Sequence, residues 1–344
     1  MTTAGSYSIV SGVLSPGPPP AEPLYVDNST LSAVANCLTH AHLRYYLGYT
    51  VAAERAPLLA GTAAHLAMAA WLRGSTKPEA LTTFETAYRA WADENILADD
   101  TWNARLAWPN LNAILDRWFD EHPVADFSFR VDPSLVEIGF AYPLTDDGSI
   151  VYCGRIDAIV RDAESDHLYI LETKTTGEIS APWLKTFRLD SQLSGYIWAA
   201  QQHVGDTNVV GAYVNAIEFS KLPSSATKCR GGRGIESHGV PYSECGPLHA
   251  KFMIPMVDRT PEEIALWRGD AIRLARIWRR LRRAYPTADL ADLVPQPGKF
   301  HQSCKFCEFY DWCEVRRPLH LIDSMLVQSP WSPYDRATVA KETT

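Results

Sequence analysis

The sequence predicts an α/β fold: a mixed central sheet flanked by helices, with a helical N-terminal region and a C-terminal cysteine segment packed against it. Three observations carry this. Apolar residues recur at helical spacing through roughly the first 120 positions, short runs rich in β-branched and aromatic residues begin after Pro133, and helical spacing returns between and after those runs. With 344 residues, 46% of them hydrophobic, the chain can bury the core of two average domains or one elaborated one.

Residues 1–24 read as a disordered, Pro-rich leader, because Ser15-Pro-Gly-Pro-Pro-Pro20 lacks the basic start and apolar run of a secretory signal. A first helix is expected over 29–48, capped by Ser29 or Thr30, with Leu31, Val34, Leu38 and Tyr45 recurring, Cys37 inside it and Gly48 at its end. A second covers 58–72, and a tryptophan-rich helical pattern continues over 78–122. The runs 135–144, 150–160 and 168–174, separated by turn compositions, predict a three-stranded antiparallel meander. A helix at 187–203, a strand at 209–219, a loop of roughly thirty residues and a strand at 251–257 follow. An Arg-rich helix spans 261–285, opened by Pro261 behind Thr260. From about Leu319 no periodicity remains. The expected divisions are the leader 1–24, a helical region 25–125 carrying Cys37 and His65, a core 126–260, the Arg-rich helix and cysteines 261–318, and a tail 319–344.

The 40 acidic and 32 basic side chains give a net charge of -8, which excludes a polycation that coats DNA or lipid, so nucleic-acid contact requires a local patch. The longest uncharged apolar stretch, 56–72, falls short of the ~20 residues a membrane span needs. A cytoplasmic protein without membrane contact is expected, and in reduced surroundings its seven cysteines are metal ligands or core residues, not a disulfide framework.

Chemistry concentrates in the second and third predicted strands. Gly154-Arg155-Ile156-Asp157 lies in one, and Glu172-Thr173-Lys174 in the next after fourteen intervening residues. Side chains two apart on a strand share a face, so Glu172 and Lys174 project together, and pairing of the strands brings Asp157 beside them. Two carboxylates and an ammonium at one point suit a hard divalent cation, Mg or Mn, with Lys174 orienting water or a phosphate. The plain alternative is an exposed Glu-Lys pair and a turn aspartate. Against it, both acids sit in apolar strands, where charge is costly unless partnered. Gln192 and Tyr196, at i and i+4 on the following helix, share a face. His65 lies in an Ala-rich helix, where a lone histidine is more often a hydrogen-bonded core residue than a ligand.

Taken in order, His65, Gly-Arg-Ile-Asp157, Glu172-Thr-Lys174 and Gln192-x-x-x-Tyr196 resemble the motifs of the PD-(D/E)XK nuclease superfamily, in its RecB-like branch, over about 130 residues. The resemblance implies a restriction-endonuclease-like core, metal binding by His65, Asp157, Glu172 and the Thr173 carbonyl, Lys174 as catalytic lysine, and Gln192 and Tyr196 as the branch's helix motif. Ile156 stands where the family's name has proline. Glu137, on the first strand, is a secondary candidate for the site.

Cys304-x-x-Cys307 and, after five intervening residues, Cys313 supply three thiolates, and a closed site needs a fourth. Cys37 supplies it if the N-terminal helix packs beside the C-terminal segment. Zinc and an iron-sulfur cluster both suit the spacing, and His40 or His42 are alternatives to Cys37. Cys37 followed by Arg44-Tyr45-Tyr46 resembles the iron-sulfur nucleases of this branch, AddB-type subunits and CRISPR-associated exonucleases, which implies a structural 4Fe-4S cluster on Cys37, Cys304, Cys307 and Cys313. Cys153, Cys229 and Cys245 are expected to be ordinary.

For substrate, seven arginines between Arg268 and Arg283 oppose one acid, Asp270, a local excess of six positive charges. A solvated helix face is an equal reading. The loop Lys228-Cys-Arg-Gly-Gly-Arg-Gly234 and the tryptophans Trp91, Trp102, Trp108 and Trp118 are further candidates for phosphate and base contact. The whole predicts a Mg/Mn-dependent deoxyribonuclease, and the resemblance implies exonuclease action on single-stranded DNA or duplex ends, in repair, recombination, phage DNA processing or CRISPR adaptation, with a helicase or CRISPR-adaptation partner. A catalytically inactive DNA-binding or helicase-partner module is the alternative, and an iron-sulfur electron carrier or radical enzyme is weaker.

Overall fold

The computed structural model describes residues 7–10, 13–16, 22–52, 56–95, 106–205, 208–219 and 246–338. The loop 228–234, Cys229, Cys245 and Trp102 lie outside them. The elements that position the site are β1 (Leu24–Val26), α1 (Asn28–Asn36), α2 (Ala56–Leu72), α3 (Lys77–Asn95), α4 (Trp108–Glu121), β2 (Phe129–Pro143), β3 (Ile150–Asp162), β4 (Leu168–Thr176), α5 (Ser191–Val204), β5 (Val209–Glu218), β6 (Phe252–Met253), β7 (Met256–Asp258) and α6 (Pro261–Ala284).

Seven of these strands form one mixed sheet, in the order β7-β5-β4-β3-β1, with β2 also on β3 and β6 also on β5. The expected meander β2-β3-β4 is present and antiparallel. β2 follows β3 from Val151 to Asp162, so β1 and β4 share the opposite edge: β1 takes Ile150 to Tyr152, in parallel, and β4 takes Ala158 to Arg161. β4 leaves β3 after the Ala158–Leu171 pair but continues alongside β5 to Thr176. The sheet therefore opens between β3 and β4. The main core joins Ile156, Ile159, Ile170 and Val214 of the sheet to Leu193 and Ile197 of α5 and Trp267 and Trp278 of α6.

Several expected elements are divided, each for a physical reason. The helix expected over 29–48 begins a residue earlier, where the Asp27 carboxylate accepts the Thr30 N–H at 2.7 Å, a cap worth about 1 kcal/mol. It breaks at Cys37, whose backbone is extended (φ -157°, ψ 116°), and resumes as Leu38–Ala41 and a π-turn, His42–Tyr46. Among the described residues the pattern over 78–122 forms two helices, α3 and α4, with Pro109 in the first turn of α4, where a helix tolerates it. The strand expected at 251–257 is split into β6 and β7 around Pro255, which has no N–H for a ladder and whose carbonyl accepts the Val214 N–H at 2.9 Å. The leader is not wholly without structure, because Tyr7–Val10 pairs with Val13–Pro16.

The largest departure is the tail. Val327–Gln328 pairs antiparallel with Tyr49–Thr50, and a short helix, Pro333–Thr338, follows. Elements this short, broken by Pro330 and Pro333, leave no period in the sequence. The cysteine segment packs on the N-terminal helices as expected: Thr39 Oγ1 donates to the Val294 and Pro295 carbonyls at 3.0 and 2.9 Å, and Leu43, Phe309 and Trp312 share a small core. The described helical tryptophans serve packing. Trp118 is buried, Trp108 stacks on Phe84 at 5.5 Å, and Trp91 lies beside Tyr88 at 6.0 Å. Among the described residues no helix is long and apolar enough to cross a membrane.

Candidate active site

The opening between β3 and β4 makes the site. Past Leu171 the Thr173 N–H has no strand partner on that side, and it donates instead to Asp157 Oδ2 at 2.7 Å. His65 Nδ1 stands 3.1 Å from Asp157 Oδ1 and 3.0 Å from Oδ2. Small residues on α2 permit this approach. Ala60, Ala63, Ala64 and Ala67 are buried, and a methyl group on Gly61, one turn before His65, would stand 3.2 Å from Thr175 Oγ1 of β4. Thr173 turns its hydroxyl the other way, accepting from Asn215 at 3.4 Å.

Glu172 is 2% exposed. Lys174 Nζ donates to Glu172 Oε1 at 2.7 Å and to Gln192 Oε1 at 2.7 Å, while Gln192 Nε2 donates to the same Glu172 oxygen at 3.0 Å. Gln192 is delivered by the first turn of α5, which Asp190 caps by accepting the Leu193 N–H at 2.9 Å. Tyr196, one turn on, packs edge-on against Phe140 with centroids 5.7 Å apart and lines the same cavity.

Burial pushes Glu172 up to about 7, with the charge of Asp157 adding and that of Lys174 opposing. Burial also opposes ionisation of Asp157, but His65, the Thr173 N–H and Lys174 outweigh it and hold the acid below the usual range. Lys174 stays above its ordinary value because Glu172 and Asp157 overcome its desolvation. Burial, helped by Glu172, holds the Tyr196 phenol neutral. At neutral pH the site thus keeps an anionic aspartate and a cationic lysine, with a glutamate poised between forms.

The cavity measures about 310 Å³, and besides these residues Asp27, Arg155, Trp331 and Ala337 line it. None of those four was singled out from the sequence. Arg155, two residues before Asp157 on one strand, carried a signal in its spacing; Trp331 and Ala337, in the aperiodic tail, carried none. Trp331 Nε1 donates to Asp27 Oδ2 at 3.1 Å, closing one wall. Glu137 does not join the carboxylates; it stands beside Arg155, with Oε2 3.8 Å from Nε. A larger groove, about 650 Å³, runs between α1 and α6, but its acids are committed: Glu263 caps α6 and Asp270 pairs with Arg273.

Glu172 Oε2 is buried with no hydrogen-bond partner, an arrangement costing about 1–3 kcal/mol. That orphaned oxygen, with Asp157 and the His65 imidazole, is a donor set that fits a hard divalent cation. Among the described residues no three His, Cys, Asp or Glu side chains are already gathered tightly enough to enclose an ion, so the carboxylates must turn to do so.

The thiols of Cys37, Cys304, Cys307 and Cys313 are brought from opposite ends of the chain into one another's field. Burial, then Cys307, Cys37 and Cys304, pushes Cys313 up to about 11; burial, then Cys37 and Cys307, raises Cys304. Gln296 Nε2 donates to Cys313 Sγ at 2.9 Å, and a methyl group on Gly298 would stand 3.3 Å from Cys37 Sγ. His40 Nδ1 is 4.0 Å from Cys307 Sγ, while His42 is turned away to the Tyr285 carbonyl, 2.8 Å from Nε2. Cys153 is buried in the sheet.

The Arg-rich helix begins with the expected cap, completed by reciprocal bonds between Thr260 and Glu263. Its arginines divide into two sets. Arg268 donates to the Leu144 carbonyl, Arg279 to that of Ser149, Arg273 pairs with Asp270, and Arg282 lies over the Tyr46 ring. Arg276, Arg280 and Arg283 are exposed at i, i+4 and i+7 on one face.

Among curated proteins none matches the chain. A family model does, over residues 28–314, which spans every element that builds the cavity except the returning tail, and by that match the chain belongs to the PD-(D/E)XK nuclease superfamily.

Proposed function

We propose that the chain is a Mg- or Mn-dependent deoxyribonuclease that hydrolyses phosphodiester bonds as an exonuclease on single strands or duplex ends. The observation that carries this reading is Glu172 Oε2, buried and unpartnered in a cavity shared with Asp157, His65 and Lys174. Asp157, Glu172, His65 and the Thr173 carbonyl would hold a divalent cation there, which when bound would supply Lewis-acid chemistry to phosphodiester hydrolysis. The residues do the rest. Thr173 N–H and His65 fix the Asp157 carboxylate. Gln192 grips both Glu172 and Lys174, so that the ammonium, charged at neutral pH, is aimed at the attacking water and at charge developing on the phosphate. Tyr196 walls the cavity. Arg276, Arg280 and Arg283 form a track for backbone phosphates.

We also propose that Cys37, Cys304, Cys307 and Cys313 hold a structural 4Fe-4S cluster. What supports this reading is that the four thiols lie in one another's field and that their order resembles the iron-sulfur nucleases of the RecB-like branch. Zinc is the second reading. An inactive DNA-binding module stands behind both, since every expected catalytic position is filled. Repair, recombination, phage DNA processing and CRISPR adaptation, with a helicase or adaptation partner, are the settings that fit such an enzyme.

The test is anaerobic purification with iron and zinc analysis, followed by cleavage of labelled DNA with Mn²⁺ by wild type, Asp157→Ala and Lys174→Ala. Iron-loaded wild type that cuts DNA, beside variants that keep iron and do not cut, is expected. Wild type that binds DNA but leaves it intact would establish the inactive module instead.

A further inference from the structure

Among the described residues, two that line the cavity of the carboxylates carry a buried polar atom with no hydrogen-bond partner: Glu172 at Oε2 and Asn28 at Oδ1. A cation accounts for the first. It does not account for the second, because Asn28 comes from a different element than Asp157, Glu172 and His65. Asn28 opens α1, directly after Asp27, whose carboxylate caps that helix through the Thr30 N–H. A buried amide oxygen is costly when unpaired, and what completes it is a hydrogen-bond donor.

The wall that holds Asn28 is tied down by the returning tail. Trp331 Nε1 donates to Asp27 Oδ2 at 3.1 Å. The Ser329 N–H donates to the Gly48 carbonyl at 2.6 Å, Arg44 Nη1 donates to the Ser329 carbonyl at 2.9 Å, and the Arg44 guanidinium lies 4.8 Å over the Trp331 ring. A cavity of about 310 Å³, at the lower end of ligand sites, with a wall fastened in this way suits the end of a strand better than its middle.

The chemistry of DNA narrows the donor. Phosphate, ester and sugar-ring oxygens along the backbone all accept, and only a terminal hydroxyl, 3′ or 5′, donates. Base amino groups also donate, but an enzyme that works along a strand meets every base in turn.

Resting on the nuclease reading above, we propose that Asn28 is a specificity-determining residue that recognises the strand end: its Oδ1 accepts a hydrogen bond from the free hydroxyl of the terminal nucleotide in the cavity. The contact favours ends over internal linkages, because an internal backbone brings only acceptors to that wall and leaves the amide oxygen unpaired.

The test is binding of internally labelled single-stranded oligonucleotides in Ca²⁺, which permits binding without cleavage. The oligonucleotides carry both terminal hydroxyls, or hydrogen in place of the 3′-hydroxyl, or hydrogen in place of the 5′-hydroxyl, each with every terminal base. Wild type is expected to bind one of the two deoxy ends about 5- to 100-fold more weakly than the hydroxyl end, and that end is the one recognised. Asn28→Ala is expected to bind all of them within about twofold of one another. Asn28→Asp presents an acceptor oxygen whichever way it turns, so it is expected to keep the preference while its added charge weakens binding of every oligonucleotide. Equal binding of the three kinds of end by wild type, a preference that survives Asn28→Ala, or one that follows the amino group of the terminal base would overturn the assignment. So would an Mn²⁺ site weakened about tenfold in DNA-free Asn28→Ala, which would make the amide a partner of the metal or its water. Wild type that cuts DNA without the end preference removes this contact alone; wild type that neither binds nor cuts DNA removes the nuclease reading and this contact together.

Discussion

The carboxylate cavity and the cysteine segment solve opposite problems. Asp157, Glu172 and Lys174 come from neighbouring strands of one sheet, and their positions are set by where β4 parts from β3; the backbone ladder and the α2 and α5 helices hold them without a ligand. The cysteines join the two ends of the chain through 3₁₀ turns and short helices, resting on a small core of Leu43, Phe309 and Trp312. A site on strands can afford an unsatisfied carboxylate oxygen because its frame is already stable. On the proposed reading, a segment of short turns would depend on a bound cluster for that stability. Metal should therefore govern chemistry in the first region and folding in the second.

The sharpest way to break that contrast is to remove one group from each region. Asp157→Asn or Lys174→Ala is expected to reduce DNA cleavage by about 10³-fold or more, with the fold and the iron content retained. Cys307→Ser is expected to do the reverse: iron is lost and stability falls by roughly 3–5 kcal/mol in denaturant melts, while the fraction still folded cuts at the wild-type rate. Equal damage to stability from both variants would erase the distinction.

A pH titration sharpens it further. The folded value of Glu172, about 7, lies above its ordinary 4.5. The fold thus binds a proton that the unfolded chain releases. The resulting stabilisation of metal-free protein is complete below pH 4.5 and is lost as pH rises through 7, by at most about 3 kcal/mol. Glu172→Gln is expected to abolish that slope in chemical denaturation, whereas Cys307→Ser keeps it. The smallest effect is expected on the exposed helix face. Replacing Arg276, Arg280 and Arg283 with glutamine should lower the slope of log Kd against log salt for single-stranded DNA by about 2, leaving cleavage of the shortest oligonucleotides unaltered.

Much of the site was legible because it is local in sequence. Charges placed in the apolar strands around Asp157 and Glu172, and the one-turn spacing of Gln192 and Tyr196, state which side chains share a face. The antiparallel succession of β2, β3 and β4 followed from their turn compositions, whereas β1 and the parallel placement of β5 did not. What could not be read is what distant segments do. Nothing in the sequence says that β4 separates from β3 after Leu171, since that parting is decided by β5 and α2. The left-handed Glu137 leaves no mark, as glutamate is not a residue chosen for that conformation. Trp331 and Ala337 reach the cavity through an aperiodic tail whose pairing with Tyr49–Thr50 is set by tertiary contact alone. The helix expected over 29–48 exceeds the one present because apolar spacing continues across Cys37 while the helical backbone does not.

The central claim is that the unpartnered oxygen of Glu172 awaits a cation. Calorimetric titration of metal-free protein with Mn²⁺, comparing wild type with Glu172→Gln, tests it most directly. One tight site in wild type, lost or weakened at least about tenfold in Glu172→Gln while both proteins are folded, is the expected result. Equal Mn²⁺ affinity in the two proteins would contradict the account.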